Sequence, residues 1–186
     1  MNIGFAMCGS FCTFSQIFPV LELLCRDYTV TPILSQAAAT TDTRFGRCRE
    51  CIQTLTDLCG RPPLLTLPEV EPIGPKQLFD ALIIAPCTGN TLGKLANGIS
   101  DGPVTMAAKS HLRNGRPVLL AISTNDALSG SAENIGKLLA RKHLYFVPFG
   151  QDDPFRKPTS MVADFPQIPQ ALESALNGRQ LQPIIL

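Results

Sequence analysis

Along the chain, short continuous apolar runs alternate with apolar positions set at helical spacing. Ile3 to Met7 is a first apolar run, read as a strand, and Cys8-Gly9-Ser10 turns the chain after it. Phe14, Ile17, Phe18, Leu21, Leu24 and Cys25 then recur at i, i+3, i+4 and i+7, which predicts a helix with one buried face. Pro19 falls inside this pattern, so the helix either begins late or is kinked there, with Ser10 or Thr13 as its N-cap. Tyr28 to Leu34 reads as a second strand, whose Pro32 suits an edge or a strand start. Arg47 to Cys59 is again helical and Gly60 stops it. Leu64 to Leu67 reads as a third strand, 68–75 as a loop, and Lys76 to Phe79 as a short helix.

The rest of the chain is arranged around the stretch from Ala81 to Asp101. Five apolar residues, Ala81 to Ala85, are continuous, as in a strand buried on both faces of a parallel sheet, and Pro86 is expected to end it. The polar cluster Thr88-Gly89-Asn90-Thr91 then opens a helix marked by Leu92, Leu95, Ala96 and Ile99. Strand, polar turn and helix together place small donors and helical N–H groups where open α/β sheets bind ligands, and phosphate suits them. Beyond it the pattern predicts a helix over Val104–Leu112, a strand over Pro117–Ile122, a helix over Ala132–Arg141 capped by Ser131, and a last strand over Leu144–Val147. Residues 148–158 are too rich in Pro, Gly and charge for regular structure, and Gln167 to Leu176 is a closing helix. This alternation predicts one domain over residues 1–186, an α/β three-layer sandwich (α/β/α) with a mostly parallel sheet.

Composition narrows the function. Apolar residues make up 45% and charged residues 17%, so part of the exterior is expected to be buried in a homo-oligomer. A net charge of +1 gives no electrostatic reason to expect nucleic acid or an anionic membrane. No apolar run approaches the roughly 20 residues that span a bilayer. The N-terminus reads as a strand rather than a signal peptide, and seven scattered cysteines suit a reducing cytoplasm.

Several residue groups are candidates for chemistry. Cys48 and Cys51 form a C-x-x-C pair without a second pair at zinc-site spacing; they lie on an apolar helical stripe, where buried thiols explain them, with redox or metal roles as the alternatives. Cys87 sits at a strand end, but neither His111 nor His143 lies in a loop placed to activate it. The loop of Asp152, Asp153, Arg156 and Lys157 is either a solvated turn or a lid over an acidic substrate, whose carboxylates Arg156 and Lys157 would suit. No catalytic acid or base and no metal ligand set can be named.

The central stretch resembles the flavoprotein family of flavin-containing cysteine decarboxylases and flavin prenyltransferases, through Ala85, Pro86, Thr88, Asn90, Thr91, Lys94, Ala96, Gly98, Ile99 and Asp101. The family's first turn is matched by Gly9-Ser10, with Cys8 where Thr is usual, and Ser35 follows the second strand as in the family. The resemblance implies a Rossmann-like (flavodoxin-like) sheet and an FMN site. Gly9, Ser10 and Ser35 would hold the phosphate and ribityl chain; Pro86, Thr88, Asn90 and Thr91 would border the flavin. Only Asn125 of the decarboxylases' P-x-M-N-x-x-M survives in Ile122 to Leu128, and their substrate-clamp cysteine has no counterpart in residues 148–165. Ser123 to Asp126 and the loop Asp152 to Ala163 instead resemble one branch of the family, the B subunits of dipicolinate synthases of spore-forming bacteria. That branch implies a partner A subunit that binds NADP and a reaction oxidising a dihydrodipicolinate-level intermediate to pyridine-2,6-dicarboxylate, in the mother-cell cytoplasm. Ser123, Asn125, Arg156 and Lys157 would then contact the dicarboxylate. The rivals are a stand-alone FMN-dependent decarboxylase or prenyltransferase, and a non-catalytic binding subunit.

Overall fold

The computed structural model describes all 186 residues. Its strands are β1 (Asn2–Met7), β2 (Thr29–Leu34), β3 (Ala81–Cys87), β4 (Val118–Thr124), β5 (Leu144–Phe146), β6 (Phe149–Gly150) and β7 (Met161–Ala163). Its helices are α1 (Phe14–Asp27), α2 (Gln36–Thr40), α3 (Cys48–Cys59), α4 (Leu67–Val70), α5 (Gly89–Ala96), α6 (Pro103–Leu112), α7 (Ala132–Leu139) and α8 (Ile168–Leu176). Five strands run parallel in the order β2-β1-β3-β4-β5. Helices α1 and α8 meet on one face of the sheet; α4 and α6 pack together on the other. The predicted α/β layering is therefore found, and β3, read as buried on both faces, is buried along its whole length. No helix is long and apolar enough to cross a membrane.

The differences have local causes. Helix α1 does not begin late: a 3₁₀ turn (Phe11–Thr13) leads into it at Phe14 and it runs on through the exposed Pro19, which loses one bond on the solvent side. Pro86 does not end β3, because it falls where the ladder with β4 shifts register between Ile84 and Cys87, so its missing N–H interrupts nothing. The Ala85–Pro86 peptide is cis. Residues 64–67 form no strand: Leu64 alone bridges to β2, and α4 begins three residues later. Glu69 accepts from the N–H groups of Leu65 (2.9 Å) and Thr66 (2.8 Å), a T-x-x-E start that turns the predicted loop into a helix. Residues 76–79 form no helix: a turn over 74–77 gives way to irregular chain, with Gln77 at φ +48° and Arg116 donating to the carbonyls of Gln77 and Phe79. Two further strands follow the one read as last. β4 outruns its parallel partners, and its free end pairs antiparallel with β7 (Ser123 with Val162, Thr124 with Met161), which in turn holds β6. Strands of two and three residues are too short to show alternation.

His111, at the end of α6, is 1% exposed and donates its Nε2–H to the Pro117 carbonyl (3.1 Å). Burial lowers its pKa to about 4, with the Pro117 hydrogen bond opposing. The unfolded chain then takes up a proton near pH 6.5 that the folded chain refuses until about pH 4, so stability present above 6.5 is lost as pH falls through this window. Chemical denaturation should show this contribution weakening by about 2 kcal/mol between pH 7 and pH 5. His111→Gln should be less stable at pH 7 but should lack that part of the pH slope.

Candidate functional site

The chain leaves β1 for β2 on one side and returns to β3 on the other, which makes the carboxyl ends of β1 and β3 a topological switch point. The strand ends are tied together there: Cys8 N–H donates to the Pro86 carbonyl (3.2 Å) and Ser35 N–H to the Met7 carbonyl (3.0 Å). A cavity of about 630 Å³ opens above them, lined by Gly9, Ser35, Thr40, Thr88, Asn90, Thr91, Lys94 and Thr105 among others, a size usual for small-molecule sites. Ser35 caps α2, its Oγ accepting from Ala38 N–H (3.3 Å), and Thr88 caps α5, its Oγ1 accepting from Thr91 N–H (3.4 Å). Thr91 Oγ1 donates to Cys8 Sγ (3.2 Å) in the floor. Gly102 to Thr105, the start of α6, line the same space, so the first turns of α5 and α6 both meet it.

A second cavity, about 490 Å³, lies across Gly9 and Thr88, which border both. It is lined by Ser10, Gln16, Ser123, Asn125, Asp152, Lys157 and Ser160. Ser10 Oγ and Ser123 Oγ share a hydrogen bond (2.7 Å) that joins the loop after β1 to the end of β4. Ser160 Oγ donates to Asn125 Oδ1 (3.4 Å) and Thr159 Oγ1 to the Asn125 carbonyl (2.7 Å), clasping the segment before β7 to the loop after β4. Lys157 Nζ pairs with Asp152 (3.0 Å), which raises the lysine pKa.

The structure thus brings Gly9, Ser35, Thr88, Asn90 and Thr91 around the larger cavity, and Ser10, Ser123, Asn125 and Lys157 around the smaller one. Two predicted residues stand apart. Pro86 is buried within β3 and lines neither cavity; Arg156 is exposed in the turn between β6 and β7 and also lines neither.

Other contributors are given no role in the site by the sequence pattern. Lys94 Nζ bridges both carboxylate oxygens of Asp101 (2.9 and 3.0 Å) at the cavity wall, which holds Asp101 below the usual carboxylate range. Both belong to the motif that carries the family resemblance, but a spacing of seven does not reveal their contact, which the bend after α5 sets. Asp126 accepts from Thr124 Oγ1 (2.5 Å) and Ser131 Oγ (2.9 Å), so Ser131 braces the loop after β4 rather than capping α7. Gly89, first in α5, packs against this group: a Cβ there would lie 2.7 Å from Asp126 Oδ1, Ser131 Oγ and Thr124 Oγ1 alike. The other end of α5 is held by Arg141, which donates to the carbonyls of Leu95 (3.0 Å) and Ala96 (2.7 Å).

Burial pushes the Cys8 thiol up to about 11, against the hydrogen bond from Thr91, and raises Cys87 well above its ordinary value. Both remain neutral thiols near pH 7, so neither is an activated nucleophile. Cys51 on α3 is buried and likewise raised to about 11, while Cys48 is only half-buried. The larger cavity offers hydroxyls, an amide, helical N–H groups and a carboxylate already neutralised by Lys94. That donor set fits a phosphorylated polyol such as the ribityl phosphate of FMN.

The Flavoprotein family pattern matches residues 1–163. The dipicolinate synthase B subunit of Bacillus subtilis (strain 168) is 46% identical over 186 residues, covering 100% of this chain and 93% of that protein. The crystal structure of the dipicolinate synthase B subunit from Bacillus halodurans C superposes with a TM-score of 0.91 at 44% identity, over 100% of this chain and 95% of that one. The FMN-dependent cysteine decarboxylase SpaF shares the fold, with a TM-score of 0.72 at 18% identity over 95% of each chain. With its family pattern, its full-length relatives and its sheet in agreement, the chain belongs to the Flavoprotein family.

Proposed function

We propose that this chain binds FMN across the two adjoining cavities and serves as the B subunit of a dipicolinate synthase. One observation carries the reading: donors from the ends of β1, β2 and β3, with the first turns of α5 and α6, converge on one cavity at the switch point. Ser35, Thr88, Asn90 and Thr91 hold the phosphorylated end there, and Gly9, with no side chain, leaves the passage between the cavities open. Ser10, Ser123, Asn125 and Lys157 face the substrate in the smaller cavity, with Lys157 meeting a carboxylate. Bound FMN would supply one two-electron acceptor, and NADP carried by the A subunit would supply another. A dihydrodipicolinate-level substrate loses two hydrogens, a hydride equivalent that one of these acceptors would take and a proton released to solvent, and becomes pyridine-2,6-dicarboxylate. The full-length relatives, both named as B subunits, support this placing, and with it a setting in the mother-cell cytoplasm of a spore-forming bacterium.

Purified protein titrated with FMN tests the reading directly. Wild type should turn yellow and quench flavin fluorescence on binding; Ser35→Ala and Thr88→Val should each weaken FMN affinity about tenfold. Thermal melts separate this loss from the caps' smaller structural contribution. Pyridine-2,6-dicarboxylate should form only when the A subunit is added. A well-folded wild type that takes up no FMN rejects the cofactor assignment and favours the non-catalytic reading.

A further inference from the structure

Two thiols 34 residues apart in sequence meet where α1 packs against α3. Cys25 lies in the last turn of α1 and Cys59 is the last residue of α3; Cys25 Sγ donates to Cys59 Sγ at 3.9 Å. The other cysteines have no such partner. Cys8, Cys51 and Cys87 are buried, Cys48 is hydrogen-bonded to Asp42, and Cys12 is exposed beside Ser10. Cys25 and Cys59 are both half-buried, which leaves them open to small solutes. The chain after Cys59 is loosely packed: Gly60 stands at φ +66°, and a Cβ there would meet nothing within 4 Å. The sulfurs must approach by about 2 Å to reach bonding distance, a movement that side-chain rotation and a small shift at this free helix end can supply.

We infer that Cys25 and Cys59 are a thiol–disulfide site, closed by a small disulfide such as oxidised glutathione, that staples α1 to α3. Burial, and after it the neighbouring Cys25, pushes the Cys59 thiol up to about 12. Burial raises Cys25 as well, but the hydrogen bond with Cys59 opposes the rise. Cys25 is therefore the attacking thiol and Cys59 the resolving one. Having lost its proton to solvent, the Cys25 sulfur displaces one glutathione thiolate and leaves a mixed disulfide. Cys59, deprotonated in turn, attacks the Cys25 sulfur and releases the second glutathione. Two protein thiols are oxidised, and one glutathione disulfide is reduced to two thiols as both leaving groups regain protons. The closed loop holds β2, α2 and nearly all of α3, so the bond restrains the unfolded chain across the segment that carries Ser35. Cys25 stands roughly three turns along α1 from the end that meets the smaller cavity through Gln16, so closure leaves the site in place. The inference does not depend on bound flavin.

Peptide mapping reads the bond, and thermal melts read what it does. Folded wild type, reduced and then equilibrated with excess oxidised glutathione, should have Cys25 and Cys59 closed to alkylation and recovered as one disulfide-linked pair of peptides within the same chain. Its melting temperature should rise by about 5–10 °C and fall back when dithiothreitol is added. Cys25→Ser and Cys59→Ser should each melt near reduced wild type and gain nothing on oxidation. In Cys59→Ser the reaction should stop with glutathione held on Cys25. Cys25 and Cys59 still open to alkylation in oxidised wild type, or either one joined to a different cysteine, would overturn the inference. A linked pair that leaves the melting temperature unchanged, or an equal rise in Cys59→Ser, would overturn it as well.

Discussion

Gly89→Ala should give a chain that folds but no longer takes up FMN. The added Cβ would lie 2.7 Å from three oxygens at once, and none ends a long flexible side chain. Asp126 is held by Thr124 and Ser131, and Ser131 is 2% exposed, so the added Cβ cannot be accommodated without breaking this hydrogen-bonded group. Relief requires either the first turn of α5 to lift or the loop after β4 to shift. The first displaces Thr88 and Asn90 from the larger cavity; the second moves Ser123 and Asn125 in the smaller one. Overpacking of this kind costs about 1–3 kcal/mol, which lowers the melting temperature without unfolding the protein. FMN affinity should fall at least 100-fold by fluorescence titration, because several contacts move together. Gly136→Ala is the control: it lies in α7 with nothing within 4 Å of its added Cβ, so binding should be unchanged and stability slightly higher. Wild-type FMN affinity in Gly89→Ala would show that the packing of α5 against Asp126 does not shape the site.

Phe5→Ala should cost about 3–5 kcal/mol, a large part of the stability of an ordinary domain. Phe5 sits in β1 between Pro32 of β2 and Ile83 of β3, is fully buried, and belongs to the main hydrophobic core. Truncation leaves a ring-sized hole in a parallel ladder, where the backbone cannot close inward without breaking register with both neighbours. Urea denaturation should show a lower midpoint with a similar slope. Phe155→Ala removes the same atoms from an exposed tip and should stay within about 0.5 kcal/mol of wild type when measured on the monomer. A comparable loss in both variants would mean that the two rings do not differ in burial as the fold requires.

What is legible in the sequence follows from how far each signal reaches along the chain. The parallel strands β1 to β4 and the longer helices announce themselves through runs and spacings of five residues or more. The donors at the strand ends are legible for the same reason, since each follows its strand within a few positions: Gly9 after β1, Ser35 after β2, Thr88 after β3. Strands β6 and β7 are not, because their stability comes from the projecting end of β4 rather than from any pattern of their own. The T-x-x-E box at Thr66 is a signal for α4, but the neighbouring prolines mask it as a loop. The pairing of Lys94 with Asp101 depends on the bend after α5, and the packing of Gly89 on Asp126 brings together separate segments; no periodicity encodes either. Arg156 enters the predicted site on chemistry alone; its backbone N–H is held by Asp153 in an exposed turn, and its side chain lines neither cavity.

The forked end of β4 bears on how such a protein diversifies. Residues 151–160 are anchored at each end by short antiparallel strands that lie outside the parallel ladder, so this segment can lengthen, shorten or change sequence while the ladder keeps its register. Natural relatives should therefore differ most there in length, and grafting that segment between them should exchange what they recognise while leaving the scaffold's melting behaviour nearly constant.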